Sequence, residues 1–218
     1  MALDHIHLRK LLKIFFLEPN KRRAEILKEI AREGRTASSG GDFYGPFWSD
    51  AKNHALGIND LHVMVDERIT ANATRRNLYP RLRDGFLLWW NERRRWTNLP
   101  FSEGQWLKSQ HEFETLQATV KVENLLCVRD GLRVEHVVYP YFSPEPVLSD
   151  QAARLGLWLL IKVFPNVVPH EIRILDVIRG QTFSIDNYPL LGDEEQEFEL
   201  RYAAVLRERE EIISEAAA

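Results

Sequence analysis

The stretch from Ala118 to Ser184 constrains the fold more than any other part of the chain. It reads as strand, turn, strand, loop, helix, strand. Ala118 to Arg129 is the first strand, Asp130-Gly131 the turn and Leu132 to Tyr139 the second strand. A proline-rich loop, Pro140 to Pro146, leads to a helix from Ser149 to Phe164, for which Ser149 or Asp150 is the natural cap. Glu171 to Ile178 is the last strand. This succession predicts an α/β domain: a small mixed sheet over residues 118–186, flanked by helices at 60–96, 149–164 and 193–211.

The rest of the chain is organised around that block. Residues 4–17 and 20–33 have apolar spacings of three and four, Leu8, Leu11, Leu12, Phe15 and Phe16 in the first, and Pro19 separates them. They predict an N-terminal helical arm over 1–34, either a packing or self-association element or a DNA-binding helix pair. The stretch 35–42, with its serines and glycines, reads as a flexible linker, and 43–218 as the α/β domain. Phe43 to Trp48 reads as an aromatic loop anchored in the core. Pro80 suits the first turn of a helix running to Trp96. Residues 97–117 read as an irregular connection with a strand at most. Phe198, Tyr202, Val205 and Leu206 mark the buried stripe of the final helix.

Composition narrows the classes. A net charge of −3 argues against wrapping nucleic acid by bulk charge, while leaving room for a local basic patch. The single cysteine, Cys127, excludes an internal disulfide and reads as a buried inert thiol. No segment reaches the roughly 18 to 20 apolar residues of a membrane span. The run Leu11 to Leu17 is too short and too charged for a signal peptide. A cytoplasmic protein without membrane contact is expected. No H-E-x-x-H, Walker or G-x-S-x-G motif is present.

The block from 118 to 184 resembles the core of the PD-(D/E)XK nucleases, in particular the RecB-like and Cas4-like branch. In that layout Lys121-Val122-Glu123 stands for the segment ending in the first acid, with Asn124 as the alternative position. Val137 to Tyr141 falls on the Asp-x-Lys strand, and Arg154 to Trp158 on the Gln-Leu-x-x-Tyr helix. Ile174 to Val177, followed by Gly180, stands for the closing strand and turn. The resemblance implies a metal-dependent phosphodiesterase scaffold. Its chemistry needs carboxylates on a divalent cation and a lysine beside the attacking water. Here Tyr139 stands for the second acid and Tyr141 for the lysine, while Arg154 and Trp158 replace glutamine and tyrosine. The expectation is therefore a degenerate nuclease-fold domain that binds nucleic acid or a protein partner. Tyr139, Tyr141, Arg154 and Trp158 would line the remnant cleft. The alternative is a nuclease with Mg²⁺ or Mn²⁺ on a variant site of Glu67, Glu123 and Glu145. A third reading is an adaptor working through residues 1–34.

Independently of the resemblance, seven arginines lie between Arg75 and Arg95 against Asp84 and Glu92, a local excess of five positive charges. Arginine forks grip phosphate oxygens in pairs, and nearby aromatics are what single strands stack on. Arg75, Arg76, Arg93, Arg94 and Arg95, with Trp89, Trp90 and Trp96 close in sequence, are the candidate phosphate contacts.

Overall fold

The computed structural model describes residues 3–33 and 42–217. Nearly all of the expected linker, residues 35–41, lies outside the described residues, as does Gly34, the expected stop of the second helix.

The chain opens with a short strand β1 (His5–His7), then α1 (Leu8–Phe16) and α2 (Pro19–Glu33). Pro19 starts α2, where its missing N–H costs nothing. These residues are not an arm. Leu3, Ile6, Leu8, Leu11 and Leu12 are buried in the same cluster as Leu155 and Ile174 of the 118–184 block. The reason is visible at both ends. Strand β1 pairs in parallel with β4 (Ala118–Val122), Ile6 opposite Val120, and the Tyr202 hydroxyl donates to the Leu3 carbonyl at 2.7 Å.

Phe43 to Trp48 does not form the expected loop. It enters α3 (Gly45–Ala55), with Phe47 and Trp48 buried. Next come α4 (Leu61–Ala71), capped by Asp60, and α5 (Tyr79–Leu88), which runs on through one π-helical turn, Trp89–Arg93. The connection expected over 97–117 contains two strands, β2 (Ser102–Glu103) and β3 (Ser109–Phe113).

The expected strand from Ala118 to Arg129 is two strands. Asn124 takes a left-handed backbone, φ 64°, a conformation asparagine tolerates better than most residues. It ends β4 and redirects the chain into β5 (Leu126–Arg129). The second strand is β6 (Glu135–Tyr141), followed by α6 (Asp150–Val163), β7 (Ile172–Asp176), β8 (Gln181–Phe183) and α7 (Glu194–Ala217). Ser149 caps α6 by accepting from Ala152 N–H at 3.2 Å. The strands make two sheets, not one: β1-β4-β3 and β2-β5-β6-β7-β8. Val120 therefore sits in a different sheet from Val138 and Leu175. In the larger sheet β5 and β6 form an antiparallel hairpin, and α6 carries the chain to β7, parallel to β6.

Both faces of the five-stranded sheet are buried. Val137, Tyr139, Tyr141, Ile172 and Ile174 face a core shared with α1, α6, α7 and the smaller sheet. Leu126, Val128, Val138, Leu175 and Val177 face a second core built from α3, α4 and α5, rich in tryptophan and phenylalanine. The alternation follows from the two-residue period of a strand. Among the described residues no helix is long and apolar enough to cross a membrane.

Two glycines fix where α5 lies. A Cβ on Gly85 would meet the Val177 carbonyl at 2.1 Å and the Ile178 carbonyl at 2.4 Å. Gly180, at φ +57°, approaches the Gly85 carbonyl from the β7–β8 turn in the same way. The end of α5 is thereby pressed onto the edge of the sheet. Gly85→Ala is expected to destabilise the protein by about 1 to 3 kcal/mol, towards the upper end because the obstructing atoms are backbone. A denaturant midpoint unchanged from the parent would contradict this close approach.

Candidate functional site

The three carboxylates of the variant metal site are not brought together. Glu67 is exposed on α4. Glu123, just past β4, lies 3.4 Å from His7 Nε2 and 3.3 Å from Lys108 Nζ. Glu145 is exposed in the proline-rich loop, and its hydrogen bond and ion pair with Lys21 hold its carboxyl below the usual range. Among the described residues no three His, Cys, Asp or Glu side chains are grouped to hold a metal ion.

The expected remnant cleft is filled. Tyr139 and Tyr141 are each 1% exposed, because β6 is covered on both faces. The Tyr139 hydroxyl accepts from Arg9 N–H at 2.9 Å, and burial pushes the phenol up to about 12. The Tyr141 hydroxyl donates to the Pro146 carbonyl at 2.8 Å. Trp158 packs against His111, Phe113 and Phe198, with Lys162 over its ring, and Arg154 is half-buried on α6. Beside Tyr141 in the ladder lies Asp176, an acid the sequence did not single out. Burial pushes its carboxyl up against the opposing pull of Arg179, whose Nη1 stands 3.0 and 3.1 Å from the two Asp176 oxygens. Arg179 Nη2 also donates to the Pro144 carbonyl at 2.7 Å, so the pair ties down the loop. Cys127 is half-buried, and desolvation pushes its thiol up to about 12, as an inert thiol requires.

The arginines are not one patch. Arg75 gives Nη1 to the Arg68 carbonyl and lies over the Tyr79 ring, and Arg76 is exposed beside it. Arg93, Arg94 and Arg95 stand at the far end of α5, roughly 20 Å along its axis. This second group lines a recess. Trp89, Trp96 and Arg173 of β7 line it with them, as do Thr182, Ser184, Asp186 and Asn187. Its volume is about 30 Å³.

The tryptophans do not form a surface for stacking bases. Trp89, Trp90 and Trp96 are 1%, 8% and 7% exposed. They hold Arg94 instead. Its guanidinium carbon lies 3.8 Å from the Trp90 ring centre, 4.3 Å from that of Phe101 and 5.4 Å from that of Trp96. Its Nε and Nη1 are buried, with no acceptor among the described residues. Burial alone pushes this guanidinium down to about 10, which leaves it charged at neutral pH. Arg93 is held by the glycine contact: its Nη1 donates to the Arg179 and Gly180 carbonyls at 3.0 and 3.3 Å.

Trp96 is fixed from behind. It stacks on His136 at 4.1 Å, and His136 stands between Asp130 Oδ2 at 3.4 Å and Glu171 Oε2 at 2.5 Å. Asp130 also accepts from Asn98 Nδ2 at 3.0 Å and from the Leu132 and Val134 N–H groups at 2.9 Å each. Glu171 meets Arg173 at 3.2 Å, so one network orients both the floor and one wall of the recess. Sequence reading missed Arg173, although its place between Ile172 and Ile174 marks it as facing away from their core. No signal in the sequence joins residues 93–96 to the residues after β8.

No family model, curated protein or solved structure matches the chain.

Burial pushes the Asp130 carboxyl up, but the donations from Asn98, Val134, His136 and Leu132 outweigh it, and the group sits below its usual range. Its contribution to stability is therefore present above the ordinary carboxyl pKa of about 4 and fades as pH falls through the lower folded value. Asp130→Asn should unfold at lower denaturant than the parent at pH 7, and the gap should narrow as the pH drops towards 3. A gap of equal size at both pH values would contradict the charged role.

Proposed function

We propose that this protein is a degenerate nuclease-fold domain of the PD-(D/E)XK kind that binds nucleic acid, with the recess at the end of α5 as its phosphate contact. The β5–β6 hairpin, α6 and parallel β7 in succession support the scaffold half of the reading, and the placement of β4, with the first-acid segment ending at Glu123, in the other sheet weighs against it. The separation of Glu67, Glu123 and Glu145 weighs against the metal-dependent alternative, and the burial of residues 3–17 in the core against an adaptor built on a separable arm.

One observation carries the binding half. Arg94 is a charged fork stacked among aromatic rings with two donors unmet. Leaving a charged group desolvated without an acceptor is costly. An anion entering the recess supplies the missing acceptor, and Arg93, Arg95 and Arg173 add charge around it. Phosphate geometry suits the guanidinium fork. A protein of net charge −3 that binds through such a focus engages few phosphates at once.

The test is fluorescence anisotropy of labelled single- and double-stranded oligonucleotides over a salt series. On single strands the logarithm of affinity should fall with the logarithm of salt by about 0.7 per phosphate engaged. Arg95→Gln, an exposed change, should weaken binding on all sequences and lower that slope by roughly one contact. Arg76→Gln, at the other end of α5, should do less. Binding that ignores salt, or that falls equally in both variants, would contradict the assignment.

A further inference from the structure

We infer that the recess takes the terminal phosphomonoester of a nucleic-acid strand in preference to its internal diesters. This rests on the nucleic-acid reading above and names what that site selects.

Charge favours a monoester. Among the described residues Arg94 forms no ion pair, and its Nε and Nη1 have no acceptor. Arg93 spends Nη1 on two backbone carbonyls, neutral acceptors that leave its charge uncompensated. Arg173 is committed to Glu171. The one acid on the rim, Asp186, is 2.5 Å from His170 Nδ1. An uncompensated positive focus of this kind matches a group carrying about −1.5 to −2 charges at neutral pH, which a phosphomonoester does and a diester does not.

Size favours it too. A recess of about 30 Å³ has room for roughly two water-sized centres. It admits phosphoryl oxygens and excludes a sugar or a base. A diester in mid-strand is flanked by sugars on both sides and offers only its two free oxygens from outside. A chain end offers three free oxygens, and the recess has room for about one or two of them.

The walls favour it as well. Thr182, Ser184 and Asn187 line the recess together with the arginines, and their hydroxyl and amide donors can share the phosphoryl oxygens. The tryptophan floor lowers the local dielectric and strengthens each contact.

The experiment compares one labelled strand in three forms: 5′-phosphate, 3′-phosphate and hydroxyl at both ends. Affinities are read by anisotropy on the full-length protein. One phosphorylated form should bind about tenfold tighter than the hydroxyl form, the effect of one charge-assisted contact. The form that does so identifies the end recognised. The preference should shrink below pH 6, where the monoester gains a proton. Millimolar inorganic phosphate should remove the preference and spare weak backbone binding. Arg94→Lys keeps the charge and loses the fork, so it should weaken every form and the phosphorylated form most, which erases the preference. Arg95→Gln, an exposed change whose thermal melt is checked against the parent, should likewise weaken all three forms and shrink the preference. Equal affinity for all three forms would overturn this inference and leave nucleic-acid binding standing. A preference that survives both variants would also overturn it, because the end would then be read elsewhere. A phosphopeptide of equal charge that competes as well as the phosphorylated strand would show a site blind to nucleic acid and would overturn it too. No binding of any strand would remove this inference and the function it rests on together.

Discussion

Burial of the five-stranded sheet on both faces is the constraint that the rest of the structure obeys. The apolar side chains in the middle of β6 and β7 enter one of two cores, with Tyr139 and Tyr141 on one side and Val138 and Leu175 on the other. A polar group in such a place must bring its partner with it, since an unpaired one is costly. The two tyrosines do so through Arg9 N–H and the Pro146 carbonyl, and Asp176 through Arg179. The middle of the sheet is thereby committed to packing, and a ligand site has to form at its margin.

The margin is shaped by backbone contact. Because Gly85 and Gly180 lack side chains, α5 lies against the β7–β8 turn, and its π turn hangs over the sheet edge. Aromatic side chains in the second core then serve two ends. They fill the space between α5 and the sheet, and they form the bed on which Arg94 lies. Cation–aromatic stacking favours the guanidinium there but supplies no hydrogen-bond acceptor. The same packing that stabilises the fold leaves Arg94 short of partners, with Nε and Nη1 buried beside a recess that the residue itself helps to line.

Much of this was legible in the residues. Hairpin, helix and strand from 126 to 176 follow from their composition, the Asp130-Gly131 turn and the Ser149 cap. Phe198, Tyr202 and Val205 mark the buried stripe of α7. What escaped has physical causes. One left-handed asparagine, Asn124, divides an apolar run that reads as continuous and sends its halves to different sheets. The strand His5–His7 is too short to signal its pairing with β4, so residues that join the core read as an arm. The arginines are close along the chain, although a helix separates Arg75 and Arg76 from Arg93 to Arg95 in space. Arg173 and Ser184 reach the recess only through the sheet. The tryptophans gave a true signal of aromatic partners for arginine, but they back Arg94 from inside the core.

The central claim is that the Arg94 guanidinium waits for an anionic acceptor. The most direct measurement is the Nε–Hε resonance of Arg94 in ¹⁵N-labelled protein, assigned by loss of the signal in Arg94→Lys, during titration with a phosphorylated oligonucleotide. The account predicts that this proton moves downfield and exchanges more slowly with water as the strand binds. If other arginine signals shift with binding while that of Arg94 stays where it was, the fork is not the acceptor-seeking group and the account fails.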